Sequence, residues 1–155
     1  MLAIREAVAN ALIHQDFCIT GAGPTVKLFD NRIEIINPST PLIAIQRIID
    51  NPPKSRNEKL DFMMRRFRMC EELGTRWDKI VISCEEVQLP VPRIELYEKN
   101  TKVTLLSFRQ FSALSSDEKI LACYLHAFVL YVHGECMTNS TLRKRFGLNE
   151  SSSST

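Results

Sequence analysis

Glycine is scarce in this chain, with five in 155 residues at positions 21, 23, 74, 134 and 147, and none is followed by Lys-Ser or Lys-Thr. A phosphate loop of the form GxxxxGK followed by Ser or Thr is therefore absent, and with it the motor of a helicase built on that loop. No run approaches eighteen apolar residues, and Arg5 and Glu6 interrupt the N-terminal helical stretch. Neither a membrane-spanning helix nor a signal peptide is expected, and the chain reads as cytoplasmic. A strong charge of one sign is missing as well, since 20 Lys and Arg against 18 Asp and Glu leave a formal net charge of +2. That balance excludes a binder of nucleic acid by bulk charge while leaving room for a local basic patch. The cysteines at 18, 70, 84, 123 and 136 form no CxxC pair, and the histidines at 14, 126 and 133 bring no zinc-type spacing. Reduced, partly buried thiols are expected, and His133 with Cys136 supplies only two ligands where a metal site needs more.

What is present suits a globular protein, with 45% hydrophobic and 25% charged residues. The length holds one ordinary domain, or one of about a hundred residues and a small module. The most informative stretch is Arg5 to Phe17, in which Glu6, Asn10 and His14 stand four residues apart. At about 100° per residue they form one stripe on a helix, with Ile4, Val8 and Leu12 roughly opposite and Leu2, Ala9 and Ile13 flanking. Spacing alone favours a solvated stripe. A helix apolar on several sides would instead bury the stripe, and its polar groups would then need partners or a ligand.

Further along, the organisation reads as α-β-β-α-α-α-β-β with a helical tail. Thr25 to Phe29 and Arg32 to Ile36 flank Asp30-Asn31 as a hairpin, closed by Asn37-Pro38. Pro41 to Asp50 can form a short helix, and Glu58 to Leu73 reads as a helix closed by Gly74. Its Arg65, Arg66 and Arg68 form a basic cluster that either meets phosphates or pairs with neighbours such as Asp61 and Glu72. Residues 77, 80, 81 and 84 repeat at helical spacing, and a second hairpin, Arg93 to Tyr97 and Lys102 to Leu106, turns at Lys99-Asn100.

These motifs carry a resemblance. The chain reads REAVANALIHQDF at 5 to 17, FDNRIEIINPSTPL at 29 to 42, SRNE at 55 to 58 and GTRWDKI at 74 to 80. In order and spacing, over about the first hundred residues, this resembles the C-terminal region of bacterial regulators with an AlbA-type (Schlafen-like) N-terminal domain, the RecG-related "ATP-dependent DNA helicase" family. The resemblance implies an α+β fold, a reduced version of the histidine-kinase and gyrase type (GHKL) ATPase sandwich, with helices on a mixed sheet. It implies that Glu6 activates water and that Asn10 holds Mg²⁺ when ATP binds, with His14, Asp30, Ser55, Arg56 and Arg76 lining the pocket. The chain departs from the family where Ser39-Thr40 replaces Gly-Gly and Arg76 replaces a glycine, positions at which only glycine brings the backbone close to phosphates.

From Ser107 the character changes, which divides the chain into 1–106 and 107–155. Ser115 and Glu118 fit a capping box before an apolar helix from Ile120 to Val132, and a second helix runs from Asn139 to Phe146 between Thr138 and Gly147. This tail resembles the first part of a winged helix-turn-helix, with weak, salt-sensitive DNA contacts expected through Arg143, Lys144 and Arg145. The recognition helix would follow Asn149, where the chain ends in Ser-rich sequence, so a cut at that helix is expected, as is an N-terminal domain ahead of Met1. Three functions compete: a regulatory and interaction module of a DNA-binding transcriptional regulator, a working domain for ATP and Mg²⁺, and a structural scaffold, including a homo-oligomeric one.

Overall fold

The computed structural model describes residues 2–42, 45, 54–70 and 76–148, with the Arg76 side chain outside that description. The first helix, α1 (Leu2–Ile13), carries small side chains at 3, 7, 9 and 11, all buried, so that neighbouring elements approach its backbone closely on two sides. Ala3, Ala7 and Ala11 pack with Ile35, Leu105, Ile80 and Cys84. Ala9 and Ile13 pack instead with Met64 and Cys70. Between these two contact faces, by helical rotation, lies the stripe that begins at Glu6. The apolar residues Ile4 and Leu12 face outward, 38% and 37% exposed, while Glu6 is fully buried. A solvated stripe is therefore excluded at Glu6, because the alanines, and not the larger aliphatics, decide which sides of α1 dock.

Beneath α1 lies a sheet of β1 (Thr25–Phe29), β2 (Arg32–Asn37), β3 (Arg93–Tyr97) and β4 (Asn100–Leu106), in the order β1-β2-β4-β3. The resemblance implied a mixed sheet, but every pairing is antiparallel. Two-residue turns join only antiparallel strands, and the two hairpins they make meet through β2 and β4. The first turn is Asp30-Asn31 as expected, whereas the second is Glu98-Lys99, since Asn100 already pairs with Tyr97. Ile33, Ile35, Val103 and Leu105 face the helices. On the opposite face the strands carry charge: Arg32 Nε donates to Glu34 Oε1 at 2.7 Å and Lys102 lies 2.9 Å from Glu95. The Arg32 hydrogen bond holds the Glu34 carboxyl below its ordinary value.

The helix α2 spans Glu58–Arg66 and is shorter than the expected run to Leu73. Arg68 turns into the left-handed region at φ 55, and its N–H bonds the Arg65 carbonyl while that of Met69 bonds Met64, a Schellman closure made without glycine. Gly74, Glu72 and most of the helix expected over Pro41 to Asp50 lie outside the described residues. The helix α3 (Arg76–Glu86) buries Ile80, Val81 and Cys84 and packs Trp77 on the core, as its spacing predicts. It closes in the same way as α2, with Gln88 at φ 60 and Leu89 N–H on the Cys84 carbonyl. Because a side chain costs about 1 kcal/mol in that conformation, Gln88→Gly is expected to raise stability by roughly that amount in urea denaturation.

The last helices begin and end at cap residues the sequence marks. In α4 (Ser116–Val132) Ser115 and Glu118 form the capping box, and Glu118 is also held by Arg93 and Arg109. Its buried residues are Ala122, Leu125, His126 and Val129, and it packs against α3. In α5 (Asn139–Phe146) Thr138 caps the start, and Gly147, left-handed at φ 63, ends it. No helix among the described residues is long and apolar enough to cross a membrane.

Candidate functional site at the carbonyl end of the first helix

A helix leaves its last carbonyls without intrahelical donors, and in α1 side chains from two distant segments meet them. Asn37 Nδ2 donates to the Ala11 carbonyl at 3.0 Å and Ser39 Oγ to the His14 carbonyl at 3.0 Å. From the other segment, Asn57 Nδ2 reaches the carbonyls of both Ile13 and Gln15 at 2.8 Å. Arg56 spans Asp16 Oδ2 at 3.4 Å and the Thr40 carbonyl at 2.9 Å. Ser55 Oγ donates to Asp61 Oδ2 at 2.5 Å, and Thr101 Oγ1 to the Ser39 carbonyl at 2.6 Å. The motifs at 37–40 and 55–57 thus converge on one place and donate to the end of α1, while Asn37 Oδ1 and Arg56 Nε meet no hydrogen-bond partner among the described residues. The sequence marks Ser55 and Arg56 as candidate site residues, whereas the capping roles of Asn37, Ser39 and Asn57 emerge in the tertiary structure, their only sequence signal being the motif spacing.

Along α1 the stripe runs inward. Glu6 Oε1 accepts from Arg5 Nη2 at 3.2 Å, and Glu6 Oε2 meets no hydrogen-bond donor among the described residues. Asn10 and His14 are half-buried, and Asn10 and His14 are joined by their own backbone turn at 2.9 Å. These three share one helix side with the carbonyl-end cluster at its foot. Asp30 does not join them: it sits exposed in the β1–β2 turn, on the order of 20 Å along the strand from Asn37 at about 3.3 Å per residue. Arg76 opens α3, and its pocket role falls on a side chain outside the described residues.

The structure assembles a second polar cluster at the seam of α3, α4 and α5. Glu85 receives Arg145 through Nε at 2.5 Å and Nη2 at 2.7 Å, and His126 Nδ1 lies 3.0 Å from the same carboxylate. All three side chains are nearly buried, at 7%, 10% and 11% exposure. Arg145, expected among the DNA contacts, is therefore turned into the protein, while Lys144 is exposed and Arg143 half-buried. No local pattern marks Glu85 or His126, because Glu85 meets Arg145 from sixty residues away and His126 from forty-one. Burial pushes the neighbouring Cys84 thiol up to about 11, so it is a core group and not a nucleophile. Among the described residues no group of three or more His, Cys, Asp or Glu is placed to hold a metal.

Helices on one face of an antiparallel sheet, with a polar-striped first helix whose carbonyl end is met by two separate segments, define an α+β domain. The family model described as "Putative ATP-dependent DNA helicase recG C-terminal" matches residues 21–105, and the chain belongs to that family. The match begins after α1, so the Glu6–Asn10–His14 helix lies ahead of it. No curated protein matches the chain. A solved structure, that of the DIP2311 protein from Corynebacterium diphtheriae, is similar at a TM-score of 0.63 and 21% identity over 96% of this chain and 32% of that one. The likeness is one of fold, and the chain spans about a third of that protein's length.

Proposed function

We propose that the domain is a regulatory and interaction module of a DNA-binding regulator whose ATPase-like frame serves as architecture. The observation that carries this reading is that Ser39 and Asn57 are bonded to the carbonyl end of α1, while Ser55 is bonded to Asp61 and Arg56 to Asp16 and the Thr40 carbonyl. Groups that would have to hold phosphates are engaged in the frame, and the Ser39 hydroxyl is committed where the family has glycine. On this reading ATP and Mg²⁺ do not fit these residues as they stand. On this reading 107–155 is the first part of a winged helix-turn-helix, and DNA is met through Arg143 and Lys144, because Arg145 is committed to Glu85.

A second reading keeps Asn10 as a Mg²⁺ ligand and Glu6 as the base that orients water, and it rests on an oxygen without a hydrogen-bond partner among the described residues, Glu6 Oε2. Amide spectra with millimolar MgATP separate the two. The regulatory reading expects no saturable shifts at Glu6, Asn10 or His14. Shifts that saturate and vanish in Asn10→Ala would overturn it in favour of nucleotide binding. Its DNA arm is checked by anisotropy of a labelled duplex, where Arg143→Glu with Lys144→Glu is expected to abolish a salt-sensitive signal.

A further inference from the structure

A cleft of about 140 Å³ opens at the seam between α3 and α5, away from the α1 site. Leu89, Pro90 and Val91 line it together with Phe108, Phe111 and Phe146. Phe111 and Phe146 support each other, with ring centroids 4.4 Å apart. The Glu85 carboxylate borders the cleft, but Arg145 and His126 occupy it, so it repels an entering anion little. Besides Arg145, two cations line the cleft, Arg109 and Lys144. Arg109 is spent on Glu118 and the Ala113 carbonyl. Lys144 is exposed, with no ion pair or hydrogen bond among the described residues.

An apolar recess with one uncompensated ammonium at its rim matches a ligand with one negative charge and an apolar body. The volume sets the size of that body, since a cavity of about 150 Å³ accepts a benzene ring. A dianion would find one open cation among the described residues of the lining, and a neutral ligand would gain nothing from Lys144. We propose that the cleft binds a small monocarboxylate of ring size, its carboxylate on Lys144 and its body against Leu89, Phe111 and Phe146. Because α5 supplies Lys144 and Phe146 while the segment after α3 supplies Leu89, an occupant bridges the two and holds α5 in place. This inference does not depend on DNA binding or on nucleotide binding.

Benzoate, titrated into the full chain and followed by amide spectra, tests it. Saturable shifts are expected at Leu89, Val91, Phe111 and Gly147. Benzamide, equal in shape and uncharged, is expected to bind about tenfold more weakly, as is benzoate to Lys144→Gln, the loss expected for one charge-assisted contact. Lys144 is exposed, so the unliganded spectrum of the variant should match the parent and confirm the fold. No saturable shift at tens of millimolar, equal binding of benzamide, or unchanged binding to Lys144→Gln would each overturn the proposal.

Discussion

Glu85→Ala is expected to destabilise the protein by about 3–5 kcal/mol, the cost of leaving a buried charge without its partner. Arg145 loses both of its short bonds, and its guanidinium, 10% exposed, keeps the Leu89 carbonyl at 3.3 Å and the Phe146 ring at 4.8 Å, neither of which is an anion. His126 loses the carboxylate at 3.0 Å at the same time. The pair joins α3 to α5 across sixty residues, so the loss should appear first as detachment of α5. Chemical denaturation gives the magnitude, and hydrogen exchange of the α5 amides gives the place. A double variant, Glu85→Met with Arg145→Met, should recover most of the loss, since two apolar groups of similar volume remove both desolvation costs. A loss below 1 kcal/mol for Glu85→Ala would mean that α5 does not depend on this contact.

Glu6→Met carries the opposite sign. Glu6 is fully buried, its Oε1 has a single long bond from Arg5, and its Oε2 has none among the described residues. Methionine keeps the length and removes the unsatisfied oxygen, so a gain of about 1–3 kcal/mol is expected in urea denaturation. A natural sequence that retains so costly a carboxylate does so where another requirement outweighs stability. If Glu6→Met lowers stability, the carboxylate is a structural hydrogen-bonding group, and the reading of α1 as a burdened helix fails. Stabilisation together with an unchanged response to MgATP would agree with the regulatory module. Stabilisation together with loss of a MgATP response would restore the water-orienting role.

Local features were readable because their causes are local. The β1–β2 turn at Asp30-Asn31, the capping box at Ser115 and Glu118, and the bounds of α5 from Thr138 to Gly147 all follow from residues within a few positions of one another. The buried face of α3 followed from 3.6-residue periodicity. The α2 end differs from the expected stop at Gly74, because Arg68 adopts the left-handed conformation itself. The orientation of α1 was open to two readings, because an alanine-rich helix has no dominant apolar side. Its neighbours chose the sides that allow close approach, which buried Glu6 and left Ile4 and Leu12 at the surface.

The candidate site divides in the same way. The sequence by itself determined that Asn37, Ser39, Ser55 and Arg56 stand in ordered motifs, that no phosphate loop of the motor type is present, and that the last helix is basic. Only the tertiary structure decided what those residues touch. It placed the two motif segments on one set of helix carbonyls, because free acceptors at the end of α1 must be met and those side chains are the donors in reach. It separated Asp30 from that place by the length of β2. It also withdrew Arg145 into a buried pair with Glu85, since a guanidinium at a closed seam needs a carboxylate beside it, and no pattern within either helix encodes that partner.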